Sequence, residues 1–380
     1  MKSSWKVGKI FGIDIKVHFS LFLVFALLIW ALATGFFAYF YPEFSVTTLY
    51  ILSTASALFL FLSVLLHELS HSIAAKSRNI KVSSITLFFF GGVATITEDD
   101  FKPLDEFIMA IAGPIFSLFL AFLFFAIFQL VNNLFINAMA FYLYQLNLIL
   151  AIFNLVPAYP LDGGRVFRAI LYAHYKNIRK ATRIASNGGK LFAWILATAG
   201  LFQLFSGMSS GLWLIFLAIF LHFIAGLSYE QVVFKDVLSK WKVRDFMEKK
   251  FSVVKAELDF KTFLQQNIGN KNNAFLIAKK GKKKNIEGML DMQRLGYTKP
   301  EIQNKLKLAQ LAFPIQKMKF VNVNDNCYKA YLLLAKTGNT LLPVKASAKS
   351  KTVQGVVRYE TLTQALLWNL KYGAEFKRKK

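Results

Sequence analysis

Long uncharged apolar runs, each ended by charge, glycine or proline, set the pattern of this chain. They cover Phe19 to Phe40, Leu49 to Leu66, Phe107 to Val131, Ala138 to Val156, Leu191 to Phe205 and Gly211 to Leu227. Apolar runs of roughly 20 residues cross a bilayer as helices, so the pattern predicts a polytopic α-helical membrane protein with six transmembrane helices. Between the second and third runs the period changes. Val82 to Thr97 is rich in β-branched and aromatic residues, is interrupted by Gly91-Gly92, and is too short on either side to span as a helix. It predicts two short strands joined at the glycine pair, a small membrane-embedded β element. Such backbone at membrane depth is tolerated only when protein buries it or it lines a wet cavity. After Ser239 the long apolar runs stop, which predicts a membrane domain over residues 1–234 and a soluble α/β domain over 235–380.

Composition sharpens this division. The 380 residues are 55% hydrophobic and include 40 phenylalanines, which excludes a single soluble domain. The formal charge is +25, from 46 basic and 21 acidic residues. From Trp241 onward there are 29 basic and 10 acidic residues, so +19 of that excess lies in the soluble part. A cytosolic domain beside an anionic leaflet accounts for it, and no nucleic-acid partner is expected. One cysteine, Cys327, excludes an intramolecular disulfide and a thiolate metal site.

Loop charge fixes an orientation. The turn from Tyr41 to Tyr50 has no Lys or Arg, whereas Lys76, Arg78 and Lys81 follow the second span. Arg165, Arg168, Lys176, Arg179, Lys180 and Arg183 form a predicted basic loop after the fourth, and Ser206 to Ser210 carries no charge. The positive-inside rule then places both termini in the cytosol. Glu98-Asp99-Asp100 reads as a charged loop, and Lys279 to Lys284 as a solvated one.

Chemistry concentrates at the end of the second span, in His67-Glu68-Leu69-Ser70-His71. Residues four apart return to nearly one helix face, so His67 and His71 can direct both imidazoles at one cation. Zinc accepts two histidines and a carboxylate and keeps a position open for water, and Glu68 is placed to take that water's proton. Ionisable side chains at mid-bilayer depth cost roughly 2.5–3.5 kcal/mol each on insertion scales, so three within five residues signal function. A second constellation ends the fourth span: Asn154-Leu-Val-Pro157-Ala-Tyr-Pro160-Leu161-Asp162-Gly163-Gly164-Arg165. Its prolines and glycines predict a broken helix, with Asp162 on irregular backbone turned towards the bundle. Of the other histidines, His18 is read as a helix-end residue and His222 as a packed interior one. A six-span transporter or channel with a metal site is the competing reading, since carriers also use broken helices; Glu68, a base beside a metal-bound water, favours hydrolysis.

The two constellations, in this order on the second and fourth spans, make the chain resemble the site-2 protease family of intramembrane zinc metalloproteases, in the branch with a cytosolic pair of CBS domains. His67-Glu68-Leu69-Ser70-His71 matches its HExxH motif, and Asn154 to Gly163 its second motif, whose Asp is the third zinc ligand. Gly91-Gly92 and Ala112-Gly113-Pro114 also look like family features. Lys242 to Met247 is similar to the opening of a CBS domain, and Glu287-Gly288-Met289-Leu290 and Gln354-Gly355-Val356-Val357 to strands that close its two copies. The resemblance implies one zinc per chain on His67, His71 and Asp162, Glu68 as catalytic base, and transmembrane segments of other proteins as substrates. An integral protein of a bacterial or archaeal cell membrane is expected, and a homodimer through the CBS pair. The places where nucleotide-binding CBS domains carry Ser or Thr and then Asp hold Asp291 and Arg294 in one copy and Arg358 and Thr361 in the other, so adenine-nucleotide binding is not expected.

Two further roles follow from position. Asn154, a neutral donor near Asp162, is expected to contact the substrate or its oxyanion. Gly91 and Gly92 are expected to lie where an unwound substrate strand pairs.

Overall fold

Six helices long and apolar enough to cross a membrane organise the computed structural model of the chain: Ser20–Phe40, Val46–Ser77, Pro103–Leu130, Leu134–Leu155, Ile178–Phe205 and Gly211–Lys240. The structure describes residues 4–89, 91–96, 101–267, 274–278, 286–292, 306–347, 350 and 352–372. Glu98-Asp99-Asp100, the Lys279 to Lys284 run and Arg294 lie outside the described residues. Two compact units are present, Met1–Glu230 and Gln231–Lys380.

The first unit opens with an element absent from the sequence expectation. Strands β1 (Ser4–Ile10) and β2 (Ile13–His18) form an antiparallel hairpin. Its turn places Phe11 at φ 47° and Gly12 at φ 79°. The first span follows, as α1 (Ser20–Ala31), a π-helical segment (Leu32–Phe36) and α2 (Phe37–Phe40). His18 holds its entry: Ser20 N donates to His18 Nδ1 at 3.3 Å, and Phe89 N donates to Ser20 Oγ at 3.1 Å.

Helix α3 (Val46–Ser77) starts where Ser45 Oγ accepts from Thr48 N, satisfying one of the free amides of a helix start, and stops before Asn79 at φ 61°. Strands β3 (Val82–Phe88) and β4 (Gly91–Ile96) form the predicted hairpin. β2 pairs parallel with β3, so one four-stranded sheet runs β1-β2-β3-β4 and leaves β4 at an edge. The sheet packs on α3 and on α4 (Pro103–Leu130) through Ile13, Ile85, Leu69 and Met109, all buried. A second core joins Leu32 and Phe37 of the first span to Leu52 of α3 and Leu143 of α5 (Leu134–Leu155).

The basic loop expected after α5 is instead largely helical. α6 (Asp162–Tyr175) begins at Asp162, which lies in a first helical turn and not on irregular backbone. The glycines permit this tight join. A Cβ on Gly163 would overlap the Leu155 carbonyl, and one on Gly164 the Tyr159 backbone. The charge is absorbed by tertiary contact: Arg168, 9% exposed, pairs with Glu106 of α4, 2% exposed, through Nε at 2.9 Å and through Nη2. Its Nη1 donates to Tyr159 Oη at 2.9 Å, and its guanidinium lies 4.6 Å from that ring. These contacts fix α6 against α4.

Helix α7 (Ile178–Phe205) begins well before the apolar run, and α8 (Gly211–Lys240) completes the bundle. Gly200 and Gly211 let the two approach at their shared turn, where a Cβ on Gly200 would meet the Gly211 oxygen at 2.8 Å. His222 is not interior: it is exposed on α8, its ring 6.0 Å from that of Trp194 on α7. An outward His beside an exposed Trp gives the same apolar periodicity as an inward one.

The second unit repeats one order of elements. After α9 (Val243–Phe246) come β5 (Val253–Lys255), α10 (Phe260–Asn267), β6 (Ala274–Ala278) and β7 (Ile286–Asp291). Then α11 (Leu308–Leu311) and β8 (Phe313–Pro314) lead to β9 (Val321–Asn322), α12 (Cys327–Thr337), β10 (Leu341–Lys345), β11 (Val353–Arg358) and α13 (Tyr359–Tyr372). In each half a strand pairs parallel with the first arm of an antiparallel hairpin, after one intervening helix. This doubled α/β arrangement is the kind expected of the CBS-like pair read from the sequence. Asp291 accepts from Thr340 Oγ1 at 3.1 Å, and Glu248 Oε2 accepts from Arg358 Nε at 3.0 Å, so these side chains are already engaged within the unit.

Candidate metal centre

His67 and His71 occupy successive turns of α3, as their spacing requires. Both rings face α4, which runs antiparallel, and the contacts pair off in reverse order. His67 Nδ1 lies 2.8 Å from Ser117 Oγ, and His71 Nδ1 lies 2.7 Å from the Met109 carbonyl oxygen. A carbonyl only accepts, so His71 carries its proton on Nδ1 and leaves Nε2 as a free lone pair.

Between Met109 and Ser117, one turn from each, sits Gly113. A Cβ there would strike His71 Nε2 and come within 2.7 Å of His67 Nε2. The glycine leaves the space in front of both nitrogens open. Met109, Gly113 and Ser117 thus form a stripe at the same four-residue spacing as the histidines. The sequence carried that signal, although only the glycine stood out there, within Ala112-Gly113-Pro114.

Asp162 completes the group. Its Oδ2 lies 3.2 Å from His67 Nε2 and 3.1 Å from His71 Nε2, and the two Nε2 atoms are 3.2 Å apart. Zinc bonds of 2.0–2.1 Å in a tetrahedron separate neighbouring ligand atoms by about 3.3 Å, so the triangle has the dimensions of one face of such a site. Two Nε2 lone pairs and a carboxylate oxygen at this separation repel unless a cation or shared proton lies among them. Among the described residues this is the one His/Cys/Asp/Glu group with converging ligand atoms. The side chains therefore fit a zinc ion. Along α3, His67 lies about 15 Å from the Ser77 end at 1.5 Å per residue, about three turns inside the helix.

The chain leading to Asp162 is held from two sides. Tyr159 N donates to the Ala185 carbonyl on α7 at 3.3 Å, and a Cβ on Gly188 would meet the Pro157 oxygen at 2.9 Å. Arg168, two turns into α6, is clamped to Glu106.

A cavity of about 290 Å³ opens beside this centre. Glu68, His71, Asp162 and Arg165 line it, together with Ser72 and the β4 residues Gly92, Val93, Ala94 and Ile96. Gly92 backs directly onto Glu68, because a Cβ on Gly92 would overlap Glu68 Cγ and lie 3.0 Å from Cδ. Gly91, at φ 122°, opens β4 opposite Phe88 and is not on the cavity wall. Asn154 is also away from the wall: its Nδ2 donates to the Leu150 carbonyl at 3.0 Å, one turn back in its own helix. The structure therefore gathers His67, His71, Asp162, Glu68 and Gly92 at one centre and leaves Asn154 and Gly91 beside it.

Comparison with known proteins agrees with the chemistry. The description "Peptidase family M50" matches residues 55–136 and 130–196. A protein of Synechocystis sp. named as a zinc metalloprotease is 32% identical over 339 residues, 88% of each chain. A zinc metalloprotease of Methanocaldococcus jannaschii is 32% identical over 283 residues, 74% of this chain and 77% of its own. The solved structure of a site-2 protease from the same organism is 34% identical and covers 59% of this chain and 94% of that one, with a TM-score of 0.40.

Proposed function

Since the chain belongs to peptidase family M50, the site-2 proteases, and is an intramembrane zinc metalloprotease acting on membrane-protein substrates, we propose that His67, His71 and Asp162 hold its zinc and that Glu68 is its general base. The observation that carries this assignment is the triangle of two Nε2 atoms and one Oδ2 with sides of 3.1–3.2 Å, with Glu68 on the adjoining cavity wall.

Zinc held there supplies the Lewis acidity that lets water attack a peptide carbonyl near neutral pH. The protein's own groups do the rest. Glu68 takes a proton from the attacking water and returns it to the leaving nitrogen as the C–N bond breaks. Ser117 and the Met109 carbonyl keep the imidazoles oriented. A peptide bond inside a helix is shielded by its own turn, so the substrate span must unwind locally. The free edge of β4 offers the unwound strand backbone partners along the same wall as Glu68.

The transporter reading is not favoured, because the relatives are zinc metalloproteases. Loop charge supports cytosolic termini, and the separate second unit supports a regulatory role for residues 235–380. Homodimerisation through that unit belongs to the same proposal. With Asp291 and Arg358 engaged internally, the unit answers to a protein or to the membrane surface and not to an adenine nucleotide.

The test is co-reconstitution of the full chain with single-span proteins carrying Gly or Pro within their spans. Native protein should cleave and contain one zinc, Glu68→Gln should contain zinc without cleaving, and His67→Ala should lose both. Cleavage by Glu68→Gln at the native rate would remove the assignment.

A further inference from the structure

Arg165 stands in the wall of the cavity beside the candidate metal centre with most of its hydrogen-bonding capacity unspent among the described residues. A guanidinium has five N–H donors. Among the described residues Arg165 contacts Asp162 Oδ1, 3.9 Å from Nη1, and the Met109 thioether, 3.9 Å from Nη2. Neither is a strong hydrogen bond. Arg168, three residues later, instead spends its donors on Glu106 and Tyr159. The Arg165 side chain is only 24% exposed, so water does not fully compensate it, and a largely buried donor without an acceptor is unfavourable.

Ser72 is in the same condition on the same wall. It is 1% exposed, and its Oγ has no partner among the described residues. A cavity wall that places a guanidinium with two weak contacts and an unpartnered hydroxyl beside the candidate metal centre suits an occupant with oxygen acceptors.

The reaction identifies one. As the water oxygen bonds to the carbonyl carbon, the C=O π pair moves onto the carbonyl oxygen, which becomes anionic. Glu68 holds the proton taken from the water and passes it to nitrogen as the C–N bond breaks. The second water proton follows to the amine, and a carboxylate and an ammonium remain. The anion needs donors that stay in place from the tetrahedral intermediate to the carboxylate product. Asn154 does not supply them, because its amide is turned back to Leu150.

We propose that Arg165 is a catalytic residue that donates to the scissile carbonyl oxygen as it gains charge and then holds the carboxylate product. This rests on the protease reading of the site. The arrangement suits a late-strengthening contact, since the guanidinium is pre-positioned by α6, whose register the Arg168–Glu106 pair sets, and it meets its full acceptor only when charge develops.

Arg165→Ala and Arg165→Lys are compared with native protein as zinc-loaded full chains in detergent micelles. For Arg165→Ala, kcat should fall about 10²–10³-fold, the loss typical of an oxyanion donor. KM should change less than about threefold, consistent with a contact made in the transition state. Zinc content and thermal midpoint should be native, Arg165→Lys should be intermediate, and millimolar guanidinium should restore part of the Arg165→Ala rate. An unchanged kcat would overturn the proposal, and so would loss of zinc in step with activity, which would make Arg165 a positioning residue for Asp162. A peptide phosphinate, whose tetrahedral oxygens imitate the intermediate, is titrated into both proteins in parallel. Its affinity should drop about 100-fold or more in Arg165→Ala. This arm needs no turnover, so a native protein that cleaved no single-span substrate would count against the substrate assignment, while equal phosphinate affinities would count against Arg165.

Discussion

The Nδ1 of His71 lies 2.7 Å from the carbonyl oxygen of Met109, so a backbone group of the neighbouring span dictates which nitrogen of this imidazole is free. Ser117 holds His67 by its Nδ1 through a side chain, at 2.8 Å, and a side chain can be removed. Outer partners of metal-bound histidines typically contribute 10–100-fold in metal affinity. Ser117→Ala should weaken zinc by that factor, measured by competition with a chelator of known affinity, while the helices stay folded.

Gly113→Ala separates helix propensity from site geometry. Alanine favours a helix interior by about 1 kcal/mol over glycine, so the fold should not suffer from propensity. The new Cβ, however, would occupy the space in front of His67 Nε2 and His71 Nε2. The expected result is a helical protein without bound zinc, read by elemental analysis beside circular dichroism.

The two hairpin glycines should behave differently. Gly92→Ala pushes on Glu68 from behind, so cleavage should fall about 100-fold or more while zinc is retained. Gly91 has open space around it but a φ of 122°. Gly91→Ala should therefore cost about 1–3 kcal/mol of backbone strain, visible as a lower thermal midpoint with a smaller effect on turnover.

Arg168 and Glu106 are buried together, so loss of one leaves the other uncompensated. Arg168→Met should destabilise the membrane unit by about 3–5 kcal/mol, whereas Arg168→Met with Glu106→Leu should recover most of that. Denaturant unfolding in micelles of the two single variants and the double variant gives the coupling.

In the second unit, burial and the nearby Asp245 charge push the Cys327 thiol up to about 12. A raised thiol pKa keeps the neutral form in the fold, and the thiolate is the reactive species. Iodoacetamide at pH 8 should leave Cys327 unmodified in the native chain and alkylate it after denaturation. Modification at the rate of a free thiol would show that the site opens.

The six spans and the grouping of His67, His71 and Asp162 were legible because both are set by short-range rules: apolar length, a four-residue repeat, and a break between helices. The parts that were not legible depend on partners distant in sequence. Lys6, Lys9 and Lys16 interrupt any apolar alternation before the first span, so strands β1 and β2, which join the sheet through β3, carried no strand signal. The segment after Leu161 looked like a basic loop because Arg168 reads as solvent-facing until Glu106 is brought against it from α4. His222 shows the converse, since apolar neighbours at helical spacing do not say whether a face meets protein or lipid.

β2 and β3 lie side by side in parallel, although two complete spans separate them along the chain. Their register, Asp14 against Ser84 through Val17 against Leu87, cannot form until both spans have been threaded through the bilayer and their ends returned to one face. The opening hairpin, whose strands are adjacent in the chain, pairs within itself and needs neither span to do so. A chain that delivered either span the wrong way round would leave β3 without β2, and the four-stranded sheet packed on α3 and α4 could not be completed.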